Sequence, residues 1–152
     1  MAYVTAQARQ ELLDAVAEAT DRIGVALAAL GAAYEQLDEP TGDRLEELLF
    51  RPVQVAYGRA KRTHAGFAER SGLPPRAFEP APPPNSARSV KELLDTAVDA
   101  VGAADAELVT LQDSMMPVEV GDAELRAGLA DIREHLGHLR MQARELVRGL
   151  GR

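Results

Sequence analysis

A Pro-rich break divides this chain into two long helical halves and constrains its fold more than any other feature. It runs from Leu73 to Ser86, reads LPPRAFEPAPPPNS, and holds six of the nine prolines. Proline lacks the backbone donor that a helix or a central strand needs, so the segment is neither. The composition predicts extended polyproline II at about 3.1 Å per residue, a reach of roughly 43 Å over this stretch. A helix of about 28 residues is about 42 Å long. The linker, taken as residues 73–88, can therefore return the chain from one end of a long helix to the other. That permits two consecutive helices to run parallel.

Four helices are predicted around this break, and no sheet. Alanine and leucine dominate, tryptophan is absent and no β-branched run occurs, which favours helix. In the first helix, expected from about Thr5 to Leu37, the large apolar residues Leu13, Val16, Ile23, Leu27, Leu30, Tyr34 and Leu37 recur at helical spacing. A short turn over Asp38–Gly42 follows, and Asp43 with Glu46 resembles a capping box for the second helix. Pro52 predicts a kink or fresh start there. The seam then continues through Val53, Tyr57, Ala60, His64 and Phe67, and Gly72 with Pro74 ends it. Ser89 and Glu92 form a second capping box. The third helix carries Val90, Leu94, Ala97, Val101, Ala104, Leu108, Leu111 and Met115 in alternating steps of four and three. Met116–Gly121 reads as a short connector and Asp122 as the cap of the fourth helix. That helix has the seam Leu125, Leu129, Ile132, Leu136, Leu139, Ala143, Leu146 and Leu150.

These elements predict a single all-α domain over residues 1–152, a four-helix bundle in up-down-down-up order. Short connections make antiparallel neighbours, and the long one carries the crossover. An up-down-up-down order with a wandering Pro-rich loop is the alternative. Long helices with alanine-rich seams bury limited area, so a C2 homodimer is expected.

Charge and cysteine usage narrow the function classes. There are 17 Lys and Arg against 24 Asp and Glu, a net charge of −7, which argues against nucleic acid as a partner. The absence of cysteine excludes disulfides, thiolate metal sites and a cysteine nucleophile. The first residues lack the apolar core of a signal peptide, and no apolar run reaches the roughly 20 residues of a membrane span. No membrane association and a cytoplasmic location are expected.

The chemistry-bearing residues are few. The three histidines are His64, His135 and His138. His64 takes an apolar position on the second seam, so its ring should face the core, either as a satisfied core histidine or as a metal ligand or base. His135 lies about 60° from Ile132 at the edge of the apolar stripe, with Asp131 one turn before it. Asp131 and His135 at this i, i+4 spacing can converge on a ligand or simply pair at the surface. His138 falls about 120° from the stripe and is expected to be exposed and apart. Arg126, Arg133, Arg140 and Arg144 form a stripe on the other flank, read as a solvated face paired with glutamates, with anion binding as the sharper alternative. The Glu-x-x-His pairs of a di-iron bundle are absent, because Lys61, Ile132 and His135 stand three residues before the histidines. No phosphate loop, zincin helix or nucleophile elbow occurs.

The third and fourth helices carry a resemblance. Ser89-Val90-Lys91-Glu92-Leu93-Leu94, then Glu134-His135-Leu136-Gly137-His138-Leu139-Arg140 and a closing Leu150-Gly151, resemble the DinB/YfiT-like superfamily. The resemblance implies an up-down-down-up four-helix bundle. It also implies a divalent metal, zinc or nickel, held by one histidine of the second helix and two residues of the fourth. His64 matches the first ligand and His135 the third, and Asp131 stands where the family has a second histidine. The family's activities are thiol transfers and isomerisations with low-molecular-weight thiols. A metal-dependent enzyme of that kind is one expectation. A non-catalytic bundle for dimerisation or protein interaction is the other.

Overall fold

The computed structural model describes residues 2–85 and 87–150, with side chains from Ala6 onward; Ser86 of the linker lies outside the described residues. Among these residues every regular element is a helix. In chain order they are α1 (Ala2–Glu35), α2 (Glu39–Leu45), a π-turn (Glu46–Phe50), α3 (Arg51–Ser71), α4 (Val90–Asp113), α5 (Met116–Val120), α6 (Ala123–Leu136) and α7 (Leu139–Leu150).

The seam of α1 differs from the expected one. Its buried line is Leu12, Val16, Ala19, Ile23, Ala26, Leu30 and Ala33, an unbroken alternation of four and three. Tyr34, expected on the seam, is 44% exposed, and Leu27 is only partly buried. Alanine occupies every second seam position and brings the backbones of α3 and α4 close to α1. Leu13, Val16, Ile23 and Leu30 are buried as expected, so following only the large apolar residues finds the right face but misses the alanines and adds Tyr34. The other seams lie where expected, with Leu94 to Leu111 on α4 and Leu125 to Leu146 on α6 and α7 all buried, but Leu150, expected to close the last seam, is exposed at the end of α7.

The start of the second helical segment is also corrected. Asp38, not Asp43, is the N-cap and accepts a hydrogen bond from Thr41 N at 3.0 Å. Pro40 sits in the first turn, where a missing N–H costs nothing. Pro52 produces the expected irregularity in a specific form. A proline ring crowds the carbonyl four residues back and leaves it without a donor. The chain answers with one wide turn, in which Arg51 N–H bonds to Glu46 O. Such π-turns occur mostly as single insertions in α-helices.

Capping fixes the remaining ends. Gly72 closes α3 at φ +66°, and Leu73 N–H reaches back to Ala68 O at 2.9 Å in a Schellman arrangement. Ser89 and Glu92 form the full capping box of α4, worth about 1 kcal/mol. α4 stops at Asp113, so Met115 leaves the seam, takes a left-handed φ of +66° and is 54% exposed. The expected connector contains the single-turn helix α5. Asp122 caps α6 by accepting from Leu125 N at 2.8 Å. The fourth helical segment is broken at Gly137 and His138, yet its buried seam runs through the break at Leu136 and Leu139.

α1 packs on both α3 and α4, and α6 packs on α3 and α4 as well. At one end of the molecule Gln36, just past α1, donates to Arg88 O at the start of α4, 3.0 Å away. At the other end Arg70 of α3 forks onto Asp122 (2.9 and 2.8 Å) and reaches Glu124 at 2.7 Å, at the start of α6. The Pro-rich segment lies against α1 and α3. Arg76 pairs with Asp21 of α1 at 2.9 Å, Phe78 meets His64, and Glu79 O accepts from the Tyr57 hydroxyl at 3.5 Å. Its contacts thus step back along α3 from His64 to Tyr57.

Candidate functional site

Asp131 and His135 are brought together, one turn apart on α6. His135 Nδ1 lies 2.8 Å from Asp131 O and 3.5 Å from the Asp131 carboxylate. A carbonyl only accepts, so Nδ1 is the donor in this contact and Nε2 is left facing away from it. Asp131 also pairs with Arg59 of α3 at 3.4 Å. Both residues are about one-third exposed. They border a groove of about 580 Å³ closed on the other side by Leu48 of the π-turn and Pro52. His138, expected to stand apart, lines the same groove, together with Glu134 and Gln142. At about 100° per residue His138 falls about 20° from Asp131 and about 60° from His135, on the same flank of the helix, so the spacing alone already brings it to this groove.

His64 is placed elsewhere. It is only 2% exposed and meets the Phe78 ring edge to face at 5.0 Å between centroids. Phe78 is capped in turn by Arg76, whose guanidinium carbon is 4.6 Å from the ring centre. The charged groups around His64 come from α1, as Asp14 and Asp21, and from the strap, as Arg76. Burial, then Arg76, pulls its pKa below the usual histidine value, and the two aspartates oppose them. Its Nδ1 has no hydrogen-bond partner among the described residues. Arg59, which reaches Asp131, is five residues earlier on α3, about 140° round the helix. His64 therefore faces α1 and the strap, whereas the Asp131–His135 pair sits on the α6 side of α3. Among the described residues no cluster of three or more His, Asp or Glu is disposed to hold one ion.

The arginine stripe splits in two. Arg133 is tied to α4 by Asp105 (2.9 Å) and Gln112 (2.9 Å), not to a glutamate of its own helix. Arg140 and Arg144, with Arg148 one turn further, make no ion pair within 4.0 Å among the described residues. They edge a groove of about 530 Å³ between α4 and α7, whose floor is Leu94, Val98, Ala143 and Val147. Asp95 and Asp99 form its opposite edge. The sequence held this signal in the i, i+4, i+8 spacing of the three arginines, but not in a contact that named α4 as the opposite wall.

None of the helices is long and apolar enough to cross a membrane, among the described residues. No protein-family model, no curated protein and no solved structure matches this chain.

Proposed function

We propose that this chain is an up-down-down-up four-helix bundle that works as a protein-interaction module, a homodimer in the cytoplasm, and not as a metal enzyme. The order is supported by the pairing of ends. The end of α1 meets the start of α4, and the end of α3 meets the start of α6. With α1 up and α3 down, α4 then runs down and α6 up.

The observation that carries the functional reading is the placement of His64. A three-residue site needs His64, Asp131 and His135 on one ion at about 2.0–2.2 Å each. His64 instead fills an apolar socket under Phe78, on the α1 side of α3, while Arg59 engages Asp131 on the other. The residues as placed do not fit a shared ion. The test is elemental analysis of tag-free protein after exposure to zinc or nickel and desalting. Well under 0.1 metal ion per chain is expected, and one ion per chain, lost on His135→Ala, contradicts the reading.

A second reading keeps the DinB-like, divalent-metal thiol enzyme, and one observation favours it. Hydrogen bonding of His135 Nδ1 to a carbonyl fixes the tautomer whose Nε2 is a ligand, as in many metal-bound histidines. The same groove holds His138 and Glu134. In that reading zinc or nickel would polarise a low-molecular-weight thiol, and the chain would supply His135 and Asp131.

A further inference from the structure

We infer that the α4–α7 face binds a second copy of this chain about a two-fold axis parallel to the bundle. This rests on the interaction-module reading and names its partner and its surface. The face has an apolar floor with one basic edge and one acidic edge. Arg140, Arg144 and Arg148 are all exposed on α7, and Asp95 and Asp99 are exposed on α4. Among the described residues, the only ion pair these five make within 4.0 Å is that of Asp95 with Lys91, at 3.4 Å on the same helix.

The two edges are in register. The Arg140 guanidinium lies 3.6 Å from where a Cβ on Gly102 would stand, which sets that charge level with Gly102. α7 packs on α4 and on the π-turn. It therefore climbs towards the end where α4 begins. Four residues rise about 6 Å on either helix. Stepping from Arg140 to Arg144 and Arg148 thus matches stepping back along α4 to Asp99 and Asp95. The charges stand opposite one another across a groove without closing on each other.

An occupant of this groove must offer carboxylates to the arginine edge and cations to the aspartate edge. A purely acidic or purely basic partner satisfies one edge and opposes the other. The chain's own face satisfies both. Rotation about an axis along the helices places each arginine edge over the partner's aspartate edge at the same height. A perpendicular axis would instead stack like on like. The floor continues past Gly102 to Val101 and Leu139, in a second groove between α4 and the α6–α7 break. α4 is about 36 Å long, and two helix widths of about 10 Å make a face of roughly 700 Å² per copy. That is close to the roughly 800 Å² per partner of a stable interface. Met141, 57% exposed, adds apolar surface about 60° round α7 from Arg144.

The test is the solution mass of the full chain by light scattering and sedimentation, with helicity checked by circular dichroism. The wild type is expected at twice its 16.3 kDa chain mass. Arg144→Glu alone and Asp99→Arg alone each turn two cross-copy attractions into repulsions. Each is expected to weaken the dimer roughly ten-fold or more. Mixing the two variants restores both pairs in trans, Arg144 on Asp99 and Glu on Arg, so the mixture should recover the wild-type affinity. A monomer at 100 μM or so, a dimer that neither substitution weakens, or a mixture that does not recover, overturns the inference. A monomer would also remove the homodimer of the underlying reading, whereas a dimer that neither substitution weakens overturns this surface alone, and metal content, measured separately, decides between the module and the metal enzyme.

Discussion

His64 is a buried titratable residue whose chemistry its surroundings alter. Its ring is sealed by Phe78, and its Nδ1 has no partner among the described residues. A buried nitrogen without a hydrogen bond costs about 1–3 kcal/mol, so the ring is retained at some expense to stability. Burial and Arg76 hold its folded pKa below the unfolded value near 6.5, against Asp14 and Asp21. A depressed histidine pKa means that the unfolded chain binds more protons in the window just below 6.5. Stability is then complete above about pH 6.5 and falls as the solution is acidified towards the folded pKa. Asp38 and Asp122, whose carboxyl pKa values are lowered by Thr41 and Arg70 respectively, act only at lower pH, below about 4. Urea unfolding at pH 7.5 and 5.5 should show the loss for the wild type. His64→Leu should be at least as stable at pH 7.5 and should lose less on acidification. A wild type equally stable at both values would mean that the ring is open to water. Tyr57, about two turns before His64 on α3, is shifted the other way, upward, by burial and by Asp21.

At the scale of elements, small residues govern how closely the helices approach. A Cβ on Gly128 of α6 would sit 2.5 Å from Thr63 Oγ1 and 2.7 Å from Thr63 Cγ2 of α3. Thr63 is held by its own bond to Arg59 O at 2.8 Å and cannot turn away freely. Gly31 of α1 has nothing within 4 Å of its added Cβ. The same change should therefore act in opposite senses. Gly31→Ala should stabilise by about 0.5–1 kcal/mol through helix propensity. Gly128→Ala should destabilise by about 1–3 kcal/mol through overpacking of α3 against α6. Thermal unfolding of both variants reads the contrast, and a gain at Gly128 would show that α3 and α6 stand further apart. The same logic explains which seams the sequence revealed. Leucine-rich stripes on α4, α6 and α7 declare themselves by size. On α1 the inner positions Ala19, Ala26 and Ala33 look like filler, and Tyr34 looks like core although it is not. The π-turn was legible only as an irregularity at Pro52, because a proline says that a hydrogen bond is lost but not how the chain replaces it.

For the whole molecule, long-range geometry separates what was legible from what was not. All-helical architecture follows from local period, and the reach of the Pro-rich segment follows from its length. Which side of α3 faces α1 and which faces α6 depends on packing that no single helix encodes. His64 and Arg59 both belong to α3, yet one meets the strap and the other meets Asp131. His138 reaches the Asp131–His135 groove because i, i+7 spacing keeps it on the flank of Asp131, a relation that measuring each histidine only against the apolar stripe conceals. His64 and the Asp131–His135 pair are thus separate places in the molecule. Zinc titration of the tag-free chain, followed through the ring signals of its three histidines, tests it directly. His64 is expected to stay unmoved at one equivalent, while any response comes from His135 and His138 together and needs excess metal. His64 and His135 shifting in concert and saturating at one zinc per chain would contradict it.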